Sequence, residues 1–141
     1  MNKYHKPLYA DAPVAIRQKL SALWASVMLC YVYGDFFGLF SPGKLMRMNA
    51  GEIGPLGQAT SAVLVGVSVM MAIPALMIFL SLVLPPAICR WACIVFGIAY
   101  SGIMILTLPG APPFYWFFAV LEISMTLLIA LTAWRWPKAA S

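Results

Sequence analysis

Asp35 and Glu122 are the two residues whose surroundings suit them least. Asp35 closes the run Tyr31-Val32-Tyr33-Gly34, and Glu122 ends a stretch without charge that reaches back to Arg90. A carboxylic acid near the middle of a membrane-crossing helix costs roughly 2.5–3.5 kcal/mol, and less near an interface. Each acid therefore needs a reason, and helical spacing offers one. Trp24, Met28, Tyr31 and Asp35 follow one another at intervals of four, three and four, as do Tyr115, Ala119, Glu122 and Thr126; each set lines one face of a helix. Counted inward from Phe40, Asp35 lies about 7 Å deep; counted from Phe114, Glu122 lies about 12 Å deep, at 1.5 Å per residue. Tyr100, eight residues before Leu108, reaches a similar level. Gln58 and Ser61 approach from the same side.

These residues predict a small pocket with two carboxyls and two or three phenols. Its candidate ligand-contacting residues are Trp24, Tyr31, Asp35, Tyr100, Tyr115, Glu122 and Thr126. A plainer reading stands beside it: Asp35 reaches the lipid headgroups, and Glu122 accepts a hydrogen bond from Tyr31 or Tyr100.

Other chemistries find little support. His5 is the only histidine, and the three cysteines, Cys30, Cys89 and Cys93, form no CxxC pair. Neither a metal centre, a cofactor nor a disulfide framework is expected. The nine methionines are scattered and suit packing or lipid contact rather than copper. With no haem-ligating histidine pair or nucleotide loop, enzymatic chemistry is the weakest reading. The formal net charge is +5, but its basic residues are dispersed near the ends of apolar runs. That placement speaks for topology and lipid headgroups, and against nucleic acid.

The elements that must position these side chains are membrane spans. Of 141 residues, 63% are hydrophobic and 9% charged, with a mean hydropathy of +0.91. A water-soluble domain carries about 25% charged residues, so the apolar excess must face lipid. The predicted fold is an all-α membrane protein, an up-down bundle of four transmembrane helices in a single domain. The spans cover about residues 14–40, 58–84, 87–108 and 113–136. Asp11 and Pro13 suit the start of the first, Ser41-Pro42-Gly43 its end, Pro85-Pro86 the second turn, and Pro109-Gly110 with Pro112-Pro113 the third. A late start and the lack of a small-x-small site before Asp35 mark the first span as retained rather than a signal peptide. Pro74 falls inside the second span and removes the hydrogen bond to the Met70 carbonyl, so a kink is expected. The two short links should make the second, third and fourth spans antiparallel neighbours. With the N-terminus inside, seven basic residues (Lys3, Lys6, Arg17, Lys19, Arg90, Arg135, Lys138) lie on the inner side and two, Lys44 and Arg47, on the outer. Both termini are thus expected in the cytoplasm, and the pocket opens outward.

Gly34-x-x-x-Gly38 and Cys93-x-x-x-Gly97-x-x-x-Ser101 are small-residue stripes that let helices approach closely, within the chain or in a homo-oligomer.

Several strings carry a resemblance: Leu23-Trp24, Tyr31-Val32-Tyr33-Gly34-Asp35, Gly38-Leu39-Phe40-Ser41-Pro42-Gly43, Ile73-Pro74, Leu80-Ser81, Leu84 and Arg90-Trp91. Phe114-Tyr115-Trp116-Phe117-Phe118, Glu122 and Ala133-Trp134-Arg135-Trp136 add to it. Across about residues 20–136 the chain resembles a family of small four-span bacterial membrane proteins of unknown function, distantly similar in size and architecture to DoxX-like proteins. The resemblance implies a multi-pass protein of the bacterial inner membrane and no defined activity. The residues themselves suggest binding or transport of a small hydrophobic or cationic molecule. The alternative is an accessory or structural subunit whose acids pair with a partner.

Overall fold

A computed structural model describes residues 12–137; Lys3, His5, Lys6, Asp11 and Lys138 lie outside the described residues. The elements are α1 (Ile16–Gly38), α2 (Lys44–Asn49), a 3-10 turn (Gly54–Leu56), α3 (Ser61–Val83), α4 (Pro86–Thr107) and α5 (Pro113–Trp134). Among the described residues there is no strand beyond one isolated bridge, Glu52 to Gln58. Helices α1, α3, α4 and α5 are each long and apolar enough to cross a membrane. The protein is a multi-pass, all-α membrane protein built on a four-helix bundle.

Most boundaries fall within two residues of the expected spans, and the departures have local causes. The chain stays extended through Ala15 (φ −62°, ψ 145°), so α1 starts at Ile16 rather than beside Pro13. At its far end Leu39, Phe40 and Ser41 donate to carbonyls three residues back, which tightens the last turn before Pro42. Gln58 is held in the loop by its bridge to Glu52, and α3 begins only at Ser61, capped by Thr60, whose hydroxyl accepts from the Val63 N–H at 3.3 Å. The glycine-rich connection contains an additional helix, α2, entered through Gly43 in the left-handed region at φ 74°.

The up-down course leaves two unlike ends: one carries α2 and its loop, the other the start of α1 and the end of α5. Helix α1 packs between α3 and α5, and α4 packs on α5, whereas α3 and α4 share much less contact. The two-proline link makes α3 and α4 antiparallel neighbours, as expected, but in limited contact. Such a link joins only their ends. There the Cys89 thiol donates to the Ser81 carbonyl at 3.6 Å, and Ser81 Oγ lies 3.9 Å from Cys93 Sγ. Farther along, the Tyr100 hydroxyl reaches across to the carbonyl of Met70. Pro74, inside α3 and buried, has no N–H for that carbonyl, so a tyrosine from α4 supplies the missing donor.

The small-residue stripes are used inside the chain. A Cβ at Gly97 would lie 2.7 Å from the Thr126 carbonyl oxygen and 3.2 Å from Ala130 Cβ, so α4 and α5 meet backbone to backbone. Ser101 Oγ and Thr126 Oγ1 are 2.7 Å apart across the same seam. Gly34 and Gly38 are also buried within the chain. Of the two uses open to these glycines, close approach within the chain is the one seen at Gly97 and Gly34.

Packing is uneven along the bundle axis. Leu20, Trp24, Val27, Cys93, Ile129 and Ala133 fill the half near the start of α1 and the end of α5. Arginines close the helix ends there: Arg17 donates to the Leu82 carbonyl at 2.9 Å, and Arg90 to the carbonyls of Ala133 (3.1 Å) and Trp134 (3.2 Å). Cations at a helix C-terminus satisfy its orphan carbonyls and oppose its dipole. The Arg90 guanidinium also lies 5.8 Å from the Trp91 ring centre and 5.9 Å from that of Trp134. The half near α2 holds a cavity instead.

Candidate functional site

The cavity has a volume of about 90 Å³ and takes residues from all four spanning helices. One wall is polar. Tyr31, Gly34 and Asp35 come from α1, and Tyr115 and Glu122 from α5. The opposite wall is mostly apolar: Met70 and Met71 from α3, Ile103 and Met104 from α4, with Tyr100 and Thr107 at its edges.

Gly34 makes the polar wall possible. A Cβ there would sit 3.9 Å from Glu122 Oε1 and 3.7 Å from the Phe118 ring, so the carboxyl rests directly against the α1 backbone. Glu122 is 2% exposed and Tyr31 8%. The Tyr31 hydroxyl and Glu122 Oε2 are both buried, and neither finds a hydrogen-bond partner among the described residues. An unpaired buried polar atom costs about 1–3 kcal/mol, and native structures keep few of them. Two such atoms lie on this one cavity.

Of the residues predicted to form the site, Tyr31, Asp35, Tyr100, Tyr115 and Glu122 line this one cavity, and Trp24 and Thr126 do not. Trp24 is fully buried two turns deeper on α1, edge-on to Tyr100 with ring centres 6.3 Å apart; its Nε1 has no partner among the described residues. Thr126 bonds to Ser101 and, at 2.8 Å, to the Glu122 carbonyl, so it fastens α5 to α4 below the cavity. Gln58 and Ser61 stay exposed, away from it. Neither tyrosine named as a partner of Glu122 bonds to it: Tyr100 serves Met70, and Tyr31 is unpaired.

Two wider cavities lie toward α2. One, of about 420 Å³, is lined by Asp35, Lys44, Arg47, Met48 and Glu52 among others. The other, of about 480 Å³, includes Ser41, Lys44, Arg47, Thr107, Phe114 and Tyr115. Asp35 belongs to both the small chamber and the first; Thr107 and Tyr115 belong to both the chamber and the second. Lys44 and Arg47 line both of these wider cavities, each of which shares residues with the chamber. In the sequence they signalled only topology; their spacing of three beside Gly43 was the available hint. Among the described residues no group of three histidine, cysteine or acidic side chains could hold a metal ion.

The fold and the cavity together define a small four-span membrane protein with a buried acid–phenol chamber near one end. The chain belongs to the family of unknown function DUF6326, whose family model matches residues 13–141. Neither the curated proteins nor the solved structures provide a match.

Proposed function

We propose that this protein binds a compact organic cation, an amine or alkylammonium with a short apolar body, in the chamber near α2. The observation that carries the reading is Glu122: a buried carboxyl with Oε2 unpaired, facing a cavity it shares with the unpaired Tyr31 hydroxyl. A carboxylate in that position gains most from a partner that brings both positive charge and N–H donors. The rings of Tyr31, Tyr100 and Tyr115 add aromatic surface that favours a cation, and the methionine wall adapts to a short alkyl group.

Size narrows the class. Drug-sized ligands occupy roughly 300–1,000 Å³, whereas about 90 Å³ is available. The occupant of the chamber is a head group of a few heavy atoms. Binding rather than conduction fits the packed half of the bundle, where Leu20, Trp24, Val27 and Ile129 are fully buried. Under the positive-inside orientation the chamber faces outward.

The test is thermal unfolding of the purified chain in a non-ionic detergent, with ethanolamine or methylammonium titrated in. Both should raise the midpoint of the parent. Glu122→Gln should fold with a similar midpoint but lose the ligand-dependent rise, because the amide keeps the shape without the charge. If Glu122→Gln responds as the parent does, the carboxyl-centred site is wrong, and a subunit whose acids pair with a protein partner takes its place.

A further inference from the structure

We infer that the occupant is a small zwitterion, with its ammonium at Glu122 and an anionic group, phosphate or carboxylate, a few bonds away at Lys44 and Arg47. This rests on the cation-binding reading above and adds the class of ligand. Gly34 and Gly38 lie on one face of α1, four residues or about 6 Å apart along the axis. Each is the seat of a charged group from elsewhere in the chain. At Gly34 the position of a Cβ is 3.9 Å from Glu122 Oε1; at Gly38 it is 2.8 Å from Lys44 Nζ. A buried negative group and a positive one are thus held one helical turn apart by the same stripe.

The cavities follow the same line. The chamber meets the 480 Å³ cavity at Thr107 and Tyr115, and that cavity carries Lys44, Arg47 and the Ser41 and Thr107 hydroxyls. No acidic side chain is among the described residues lining it. Its volume suits a phosphate or carboxylate, while the 90 Å³ chamber suits only the ammonium end. A guanidinium such as Arg47 offers paired N–H donors that match either anion. A lone cation meets opposite charge only at Glu122 and a lone anion only at Lys44 and Arg47; a zwitterion meets opposite charge at both ends.

The experiment compares phosphoethanolamine, ethanolamine and inorganic phosphate on the purified full chain by titration calorimetry. Phosphoethanolamine should bind at least tenfold more tightly than ethanolamine, and phosphate should bind weakest. Lys44→Met should remove that tenfold advantage. Should this variant fail to fold, Arg47→Ala carries the same test, with a loss of at least threefold. A second arm separates a free solute from a lipid headgroup: nanodiscs of phosphatidylethanolamine are set against nanodiscs of phosphatidylglycerol. Stabilisation by phosphatidylethanolamine, without binding of free phosphoethanolamine, assigns the site to a headgroup; binding of the free compound assigns it to a solute. If phosphoethanolamine binds no better than ethanolamine and the lipids do not differ, the zwitterion inference fails while the cation site stands. If ethanolamine and every other probe leave the protein unaffected, both readings fall.

Discussion

The hydroxyl of Tyr100 donates to the carbonyl of Met70, the acceptor that Pro74 leaves without its helical N–H. A proline defect in α3 is thereby repaired from α4, at a level where the two helices otherwise touch little. Interhelical hydrogen bonds in membranes are worth about 0.6 kcal/mol on average and up to about 1.7. Tyr100→Phe should therefore destabilise by about 1 kcal/mol. Pro74→Ala returns the N–H to α3, so Tyr100→Phe should be nearly silent in that background. A double-mutant cycle in thermal or denaturant unfolding measures this coupling, and additive effects would show that the bond is incidental to Pro74.

Gly97 gives a sharper contrast. Its absent Cβ would stand 2.7 Å from a backbone oxygen of α5, which cannot move aside without separating the helices. Gly97→Ala should destabilise by about 1–3 kcal/mol, the usual range for overpacking. Gly102, on the same helix, has nothing within 4 Å of the corresponding position, and Gly102→Ala should be neutral or slightly stabilising. Unfolding midpoints of the two variants decide the matter. A drop in oligomeric state for Gly97→Ala at unchanged stability would restore the self-association role that its burial against α5 argues against.

Topology can be checked through exposure. Met46 on α2 is 77% exposed, while Cys89 and Cys93 are fully buried. With half-buried Cys30 replaced by Ser, Met46→Cys should react with a membrane-impermeant maleimide added outside intact cells. A reporter fused after Ser141 should be active only in the cytoplasm. Labelling of Met46→Cys only after lysis would reverse the orientation derived from Arg17, Lys19, Arg90 and Arg135.

Proline punctuation made the four spans legible, because Pro42, Pro85, Pro86, Pro112 and Pro113 each stop or start a helix for reasons local to the chain. Periodicity likewise gave the face of α1 that carries Tyr31 and Asp35 and the face of α5 that carries Tyr115 and Glu122. It did not give depth or neighbours. Trp24 and Thr126 share those faces but fall below the cavity, where Tyr100 and Ser101 meet them. Helix α2 has six residues, too few for a periodic signal, and the place of Lys44 over Gly38 depends on how that short helix folds back. The gap between α3 and α4 was hidden as well, since a link fixes where helices join but not how far they diverge.

The two glycines of α1 separate the proposals above most cleanly. A methyl at position 34 would meet Glu122 Oε1 and the Phe118 ring at 3.9 and 3.7 Å, ordinary contact distances. Gly34→Ala should thus keep stability within about 0.5 kcal/mol of the parent, or gain slightly from helix propensity. The same methyl intrudes on the wall of a chamber of only about 90 Å³, so ethanolamine affinity should fall several-fold. At position 38 the methyl would displace Lys44 Nζ, the free end of a flexible side chain. Gly38→Ala should fold, leave ethanolamine affinity near that of the parent, and weaken phosphoethanolamine selectively by moving the ammonium off its seat. Calorimetry on both variants reads the two effects separately. Unchanged ethanolamine binding in Gly34→Ala would remove the cation from the Gly34–Glu122 wall. Equal losses for both ligands in Gly38→Ala would show that Lys44 shapes the chamber instead of holding the anion.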